Sequence, residues 1–270
     1  RRHRRSRQSA QHVSDKAGRR EHRPRRHLAN RHRVQQLLLR KPSQPIHQVT
    51  LQKSQHHVSA SEQHRSYLQE QQVAVPDLSS YAQRRVNHDV MTRATFNQAR
   101  IRNEMCPGTV GGVTRYMPGG ETMPIYQAAQ RYRAANVPMV VIGGLDYGQG
   151  SSRDWAAKGT RELGVKAVIA EGLERIHRSN LIGMGVLPLQ FPDGVTRRTL
   201  ALDGSETFDL TGLESGIEPG MNVRCTIKRA DGGTDSVALI CRLDTAVEVE
   251  YYRHGGSLHY VLRGMLKGVE

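Results

Sequence analysis

The amino-acid sequence predicts an α/β domain preceded by a long basic segment that lacks the composition of a folded core. Three observations lead to this fold class. Short apolar runs typical of buried strands alternate with stretches of helical periodicity in the middle of the chain. Short alternating strands separated by glycine turns follow them. The first sixty residues, by contrast, contain no aromatic residue and no cysteine.

The N-terminal segment, residues 1–60, is strongly basic, whereas the rest of the chain is nearly neutral. The segment holds 16 Lys and Arg against 2 acidic residues, and the remaining 210 residues hold 24 against 23. Apart from residues 34–39 it shows no apolar periodicity, so it cannot bury enough surface to offset the entropy lost on ordering. We therefore expect residues 1–60 to be disordered and the neutral remainder to form the core.

Three interpretations of this segment are open. Clustered arginines suit a nucleic-acid-binding arm, because they neutralise phosphates. A bias to Arg and Ser with few acids suits an organelle transit peptide, although the many histidines and the length do not. The third interpretation, which we prefer, is a mis-set reading frame or a wrong start upstream of a genuine domain. No run in the sequence has the length and apolarity of a membrane span or a secretory signal.

The predicted fold centres on a strand, a turn and a helix. Residues 139–142 form a short β-branched apolar run that predicts a buried strand ending at Gly143 and Gly144. The turn Asp146–Gly150 follows, and its glycines permit backbone conformations and close approaches that side chains block. It continues through Ser151-Ser152-Arg153 into a helix predicted over residues 155–163.

This junction has the composition of an anion site. A helix N-terminus presents unpaired N–H groups and a partial positive charge, and Arg153 can hold a carboxylate or phosphate through two parallel hydrogen bonds. The alternative is an ordinary capped helix with a surface arginine. No lysine follows the glycines in the P-loop pattern, so we do not expect a nucleotide site of that kind.

The flanking elements follow from the same periodicities. Before the central unit we predict a loop over residues 107–121 and a helix over 125–136. After it we predict a strand over 166–170, a helix over 174–185 and a strand over 186–191, which implies parallel strands with right-handed crossovers. Four short strands are then predicted over residues 199–202, 206–210, 222–228 and 234–241. Two helices, residues 246–253 and 257–266, complete the prediction.

Two longer stretches carry a family resemblance. The sequences YGQGSSRDWAAKG (147–159) and ERIHRSNLIGMGVLPL (174–189) closely resemble, in the same order, signatures of the swivelling domain of aconitases and related iron–sulfur hydro-lyases. The resemblance covers roughly residues 62–266. It implies a layered β/β/α swivelling domain over residues 106–270, preceded by a linker over 61–105.

The resemblance also implies roles for individual residues. The first serine of the Gly-Ser-Ser-Arg motif, Ser151, would be the catalytic base. Ser152 would help to bind a substrate carboxylate and Arg153 would pair with it, while Gly148 and Gly150 form the loop that cradles the anion. Aconitase-type members carry a substrate-contacting arginine immediately before Tyr-Leu. Ser66 occupies that position here, so Arg65, one residue earlier, is the candidate for this contact.

The implied activity is the reversible conversion of citrate to isocitrate through cis-aconitate, with a tricarboxylate substrate. The implied location is the cytoplasm, or the mitochondrion if the source is eukaryotic. The family holds a [4Fe–4S] cluster with one separate cysteine and a Cys-x-x-Cys pair in domains upstream of the swivelling domain. Cys106, Cys225 and Cys241 contain no such pair, so we expect no metal ligand in this chain. The cluster-bearing domains are therefore the expected partner, and the isolated chain is expected to be inactive.

Alternatives stay open at this point. The Tyr-Gly-Gln-Gly variant also resembles iron–sulfur 2-methylcitrate dehydratases. A stand-alone small subunit, like that of isopropylmalate dehydratase, is a third form of the same domain. An alternative of another class is RNA binding, as in iron-regulatory proteins, although the near-zero charge of the body and its few aromatic residues argue against it.

Overall fold

The computed structural model describes residues 47–51, 62–78, 83–84, 86–98, 101–117, 119–150 and 154–267. In chain order its strands are β1 His47–Leu51, β2 Val113–Tyr116, β3 Glu121–Pro124, β4 Met139–Gly143, β5 Val165–Ala170, β6 Leu187–Gln190, β7 Thr207–Thr211, β8 Asn222–Lys228 and β9 Thr234–Cys241. Its α-helices are α1 Glu62–Glu70, α2 His88–Ala94, α3 Ile125–Ala134, α4 Trp155–Glu162, α5 Arg175–Gly183, α6 Ala246–Arg253 and α7 Ser257–Lys267.

The described strands form a mixed sheet in the order β1-β4-β5-β6-β9-β8-β7, with β2 and β3 as a separate antiparallel hairpin. Strands β1, β4, β5 and β6 are parallel, whereas β9, β8 and β7 continue the sheet in antiparallel pairs. The predicted α/β class is confirmed. The β-rich section extends the same sheet that carries the parallel strands.

The core lies on both faces of this sheet, as its sequence pattern requires. All five residues of β4 are buried, and successive residues point to opposite faces. Val141 joins one apolar cluster with Val168, and Val140 and Ile142 join another that includes Phe208. A parallel strand covered on both faces reads as a continuous apolar run, which explains why β4 could be predicted from sequence.

The segment before the sheet is anchored by aromatic and apolar contacts. Leu68 on α1 and Val90 on α2 are buried together. The guanidinium of Arg93 lies 3.7 Å from the ring centre of Tyr67 and 4.5 Å from that of Tyr126, so one cation joins α1, α2 and α3. The boundary that we predict between a linker over 61–105 and the domain over 106–270 stays a prediction.

Two predicted elements are wrong. Residues 107–121 do not form one loop, because Val113–Tyr116 pairs with Glu121–Pro124 as a hairpin and the buried Asn103 amide donates to the Val113 carbonyl. Residues 199–202 are a turn, in which the Leu200 N–H donates to the Thr196 carbonyl at 3.1 Å. The hairpin is closed by pairing between two strands, whereas the turn is closed by a hydrogen bond within the turn itself.

Within residues 1–60, the segment that we expect to be disordered, the structure describes five residues. His47–Leu51 forms β1, whose register pairs Val49 with Val141 of β4. Its alternating apolar residues suit a strand, and the edge of a parallel sheet supplies partners for its backbone. The rest of that prediction concerns residues 1–46 and 52–60, which lie outside the described residues. No described helix has the length and apolarity needed to cross a membrane.

Candidate functional site

Backbone pairing continues beyond the ends of β4 and β5 and fixes the turn that follows β4. The Glu171 N–H donates to the Gly143 carbonyl at 3.2 Å, and the Tyr147 N–H donates to the Gly172 carbonyl at 2.8 Å. The Glu174 N–H then donates to the Tyr147 carbonyl at 2.9 Å. The turn after β4 is therefore bonded to the loop after β5, at the carboxyl edge where ligands bind in open α/β sheets.

Tyr147 holds this turn against the sheet. Its ring packs so closely on Gly143 that a Cβ at that glycine would lie 2.7 Å from the Tyr147 Cδ2 atom. The ring is buried, and its phenol shares a hydrogen bond with the Thr160 side chain on α4. Burial raises the pKa of Tyr147 above its usual value, so the phenol stays neutral at physiological pH.

Gly148 is the position where the turn touches α5. Its φ is +92°, and a Cβ there would lie 2.3 Å from both Cβ and Cγ of His177. The His177 ring in turn meets the Tyr147 ring edge-on, with ring centres 5.3 Å apart. Only glycine satisfies both the backbone conformation and the contact, so His177 supports the turn from below.

The His177 ring is buried and has no hydrogen-bond partner among the described residues. It is 2% exposed, and within the described part of the chain neither its Nδ1 nor its Nε2 is paired; the Nδ2 of Asn180, three residues further along α5, has no partner there either. Burial lowers the pKa of His177 to about 4, against the smaller raising effect of Glu174, so the ring is neutral at pH 7. The Glu174 carboxylate accepts from the His177 backbone N–H at 2.8 Å and caps α5.

A buried arginine closes the other side of the strand end. The Arg197 guanidinium donates two hydrogen bonds of 2.9 Å to Glu104 and one of 2.5 Å to Glu171. Its Nη1 lies so near the backbone that a Cβ on Gly144 would come within 2.9 Å of it. The hydrogen bonds from Arg197 lower the pKa of Glu104, so both charges persist at neutral pH.

Helix α4 begins just after the turn. Asp154 is its N-cap residue, but its side chain accepts no capping hydrogen bond. Within the helix, Gly159 packs against Thr95 at the end of α2, where a Cβ would lie 1.9 Å from the Thr95 hydroxyl. This contact packs α4 closely against the end of α2.

The predicted site residues divide into two groups. Gly148 and Gly150 lie in the turn with φ of +92° and +97°, conformations that favour glycine. Arg65 is exposed on α1. Ser151, Ser152 and Arg153 lie outside the described residues, so their roles, like the contact proposed for Arg65, stay predictions.

Sequence reasoning did not identify the Arg197 network. Arg197 is 93 residues from Glu104 and 26 from Glu171. No local periodicity reports such a contact, and arginine is usually exposed. The only hint in the sequence was the pair Gly143 and Gly144 at the end of β4, since glycine leaves space for a large side chain such as that of Arg197.

The described cysteines do not suit an iron–sulfur cluster. Cys106, Cys225 and Cys241 are all buried, and burial raises the pKa of each thiol, to about 12 for Cys225. No three His, Cys, Asp or Glu side chains among the described residues are placed to share a metal ion.

Comparison with known proteins agrees with this geometry. Residues 64–194 match the family described as aconitase C-terminal domain. Aconitate hydratase A of Escherichia coli is 56% identical over 201 residues, which are 74% of this chain and 22% of that protein. Aconitate hydratase A of Legionella pneumophila is 58% identical over 197 residues, 73% of this chain and 22% of that protein. The chain thus spans about a fifth of the length of these curated relatives.

A solved structure of 3-isopropylmalate dehydratase from Methanocaldococcus jannaschii is also similar, at 21% identity over 57% of this chain and 88% of that one. Its TM-score of 0.34 is too low to support an argument. The family match and the curated relatives cover the whole central unit, from the turn after β4 to β6. Residues 64–194 belong to the aconitase C-terminal domain family.

Proposed function

We propose that this chain is the C-terminal portion of an aconitate hydratase, a hydro-lyase that converts citrate and isocitrate through cis-aconitate. The observation that carries the proposal is the braced turn Gly143–Gly150, which ends immediately before the Ser151-Ser152-Arg153 sequence and α4. A turn bonded along one edge and packed on His177 gives these three residues a fixed starting point. Pre-organisation of this kind is what positions catalytic groups.

Each of the three residues Ser151, Ser152 and Arg153 has a proposed role. Ser151 removes the proton next to a substrate carboxylate as the general base. Ser152 donates a hydrogen bond to a substrate carboxylate, and Arg153 pairs with it through its planar guanidinium. The Ser151 alkoxide takes up this proton, the hydroxyl group on the neighbouring carbon takes up another proton and leaves as water, and hydration reverses both steps.

The chain supplies one wall of the proposed active site. The curated relatives are about four to five times longer than the matched stretch, and the described cysteines here do not form a cluster site. The [4Fe–4S] cluster expected for aconitate hydratases would therefore be held by the remaining portion of the full protein. We expect the chain alone to show no hydration of cis-aconitate.

The proposal is tested with a chimera of Escherichia coli aconitate hydratase A in which the matching stretch is replaced by that of this chain. The chimera should hydrate cis-aconitate. Arg153→Lys should raise KM and lower kcat, because the charge remains while the paired hydrogen bonds are lost. The control Arg175→Lys, at an exposed position on α5, should change neither. A folded chimera without activity, or equal effects of both substitutions, would contradict the proposal.

The same chimera distinguishes the proposed aconitate hydratase activity from the nearest alternative, dehydration of 2-methylcitrate. An aconitate hydratase should show a higher kcat/KM for cis-aconitate than for its 2-methyl analogue. A reversed preference would replace citrate by 2-methylcitrate as the substrate and leave the proposed roles of Ser151 and Arg153 unchanged.

A further inference from the structure

Helix α7 presents a continuous apolar stripe to solvent. Leu258, Val261, Leu262, Met265 and Leu266 follow the spacing i, i+3, i+4, i+7, i+8, which places them on one face of a helix. These side chains are 45–72% exposed. In a surface helix this face normally covers the core, so its exposure requires an explanation.

The opposite face of α7 already contacts the domain. The Tyr260 ring meets the rings of Tyr251 and His254 edge-on, with centres 5.2 and 5.1 Å apart. The Arg263 guanidinium donates to the His254 carbonyl at 2.5 Å. Tyr260 is two positions from both Leu258 and Leu262, and residues two positions apart lie on different faces of a helix. Because Tyr260 and Arg263 contact the domain, the apolar stripe faces solvent.

The start of α7 is fixed, so this orientation is built into the fold. Gly256 packs against α5, where a Cβ would lie 2.4 Å from the Gly183 carbonyl oxygen. Gly185 packs equally closely on Gly255, with a Cβ 2.7 Å from its carbonyl group. These contacts fix the point at which α7 begins against the end of α5.

We propose that the stripe docks onto the cluster-bearing portion of the full aconitate hydratase, against an apolar groove with an acidic rim. This inference rests on the proposed function, which supplies the missing portion. Helix α7 contains Arg263 and Lys267 but no Asp or Glu, so the helix that carries the stripe is basic. An acidic rim on the partner would complement that charge.

Two other occupants fit less well. Residues 1–60 carry 16 Lys and Arg against 2 acids, so they would bring like charge to a basic surface. The stripe offers on the order of 500 Å² of apolar surface, so two copies would bury about 1,000 Å², below the roughly 1,200–2,000 Å² of stable specific interfaces. A contact of this size suits domains of one polypeptide, because the tether raises the effective concentration.

The experiment compares two glutamate substitutions at exposed apolar positions, Leu262→Glu in the stripe and Val247→Glu on α6. Each is made in the isolated chain and in the Escherichia coli chimera, and thermal unfolding is followed by calorimetry. In the isolated chain neither should lower the melting temperature by more than a degree or two. In the chimera the transition of this domain should lie several degrees above that of the isolated chain, and Leu262→Glu alone should abolish the increase.

The proposal is overturned if the transition of the domain does not rise in the parent chimera, or if Leu262→Glu and Val247→Glu act alike there. It is also overturned if the isolated chain forms a dimer that Leu262→Glu dissociates, or if it binds vesicles of anionic lipid through the stripe. Hydration activity is not used as the readout. An inactive chimera with an intact shift in melting temperature would count against the proposed function alone.

Discussion

Gly148 and His177 are in direct contact: a Cβ at Gly148 would lie 2.3 Å from the His177 Cβ. The glycine is in the turn after β4 and the histidine is in the first turns of α5, so this contact joins the two stretches that carry the family resemblance. It explains why a glycine with φ of +92° precedes the serine–arginine sequence.

We predict that Gly148→Ala destabilises the chain by about 3 kcal/mol or more, because backbone strain of about 1–3 kcal/mol adds to displacement of His177. Gly212→Ala is the matched control, since Gly212 has φ of +94° but a methyl group at that position would meet nothing within 4 Å. Urea unfolding of both variants isolates the contact. Equal losses of unfolding free energy in the two variants would show that displacing His177 does not destabilise the chain.

The second prediction concerns pH. The pKa of His177 is lowered to about 4 by burial, whereas an unfolded histidine titrates near 6.5. Below pH 6.5 His177 is protonated in the unfolded chain but stays neutral in the folded chain. The free energy of unfolding should therefore be at its full value above pH 6.5 and fall as the pH is lowered toward 4. The loss attributable to His177 should approach about 3 kcal/mol.

His177→Phe tests this assignment. Phenylalanine keeps a ring against Tyr147 and removes two unpaired nitrogens, so the variant should lose little stability at pH 7 and exceed the parent at pH 4.5. Free energies of unfolding at several pH values give the comparison. An unchanged slope between pH 6.5 and 4 would mean that His177 is not the titrating group.

Arg197 and Arg198 provide a third comparison, because both contact Glu104 but only Arg197 is buried. The Arg197 side chain is 5% exposed and that of Arg198 is 70% exposed. Arg197→Met leaves Glu104 and Glu171 without their main cation and should cost about 3–5 kcal/mol. Arg198→Met should cost no more than about 1 kcal/mol. Similar values for the two variants would show that the buried network does not hold the strand end.

The elements predicted correctly were those with strong local signals. The strands 222–228 and 234–241 and the helix 246–253 have the predicted bounds, because alternation, turn glycines and helical spacing all act over short distances. The hairpin of β2 and β3 was missed in a region rich in glycine and proline. Strand β1 was not predicted, because the strongly basic composition of the surrounding segment favoured disorder more strongly than the alternation of five residues favoured a strand.

The candidate site was only partly predictable, because local sequence signals do not report contacts between residues far apart in the chain. Gly148 and Gly150 could be identified because positive φ has a sequence signature. The burial of His177 beneath the turn and the pairing of Arg197 with Glu104 depend on tertiary contacts over 29 and 93 residues. Neither leaves a periodic trace in the chain.

The most direct test of the proposed function is the turnover of Ser151→Ala in the Escherichia coli chimera. Removing a general base should lower kcat by about 10²–10⁴-fold with little change in KM, because a proton transfer is lost rather than a binding contact. Ser179→Ala, which removes an exposed hydroxyl that donates to the Arg175 carbonyl within α5, is the control and should keep kcat within a factor of two or so of the parent. We expect this contrast between the two variants; a Ser151→Ala chimera as active as the Ser179→Ala control would contradict the proposed role of Ser151.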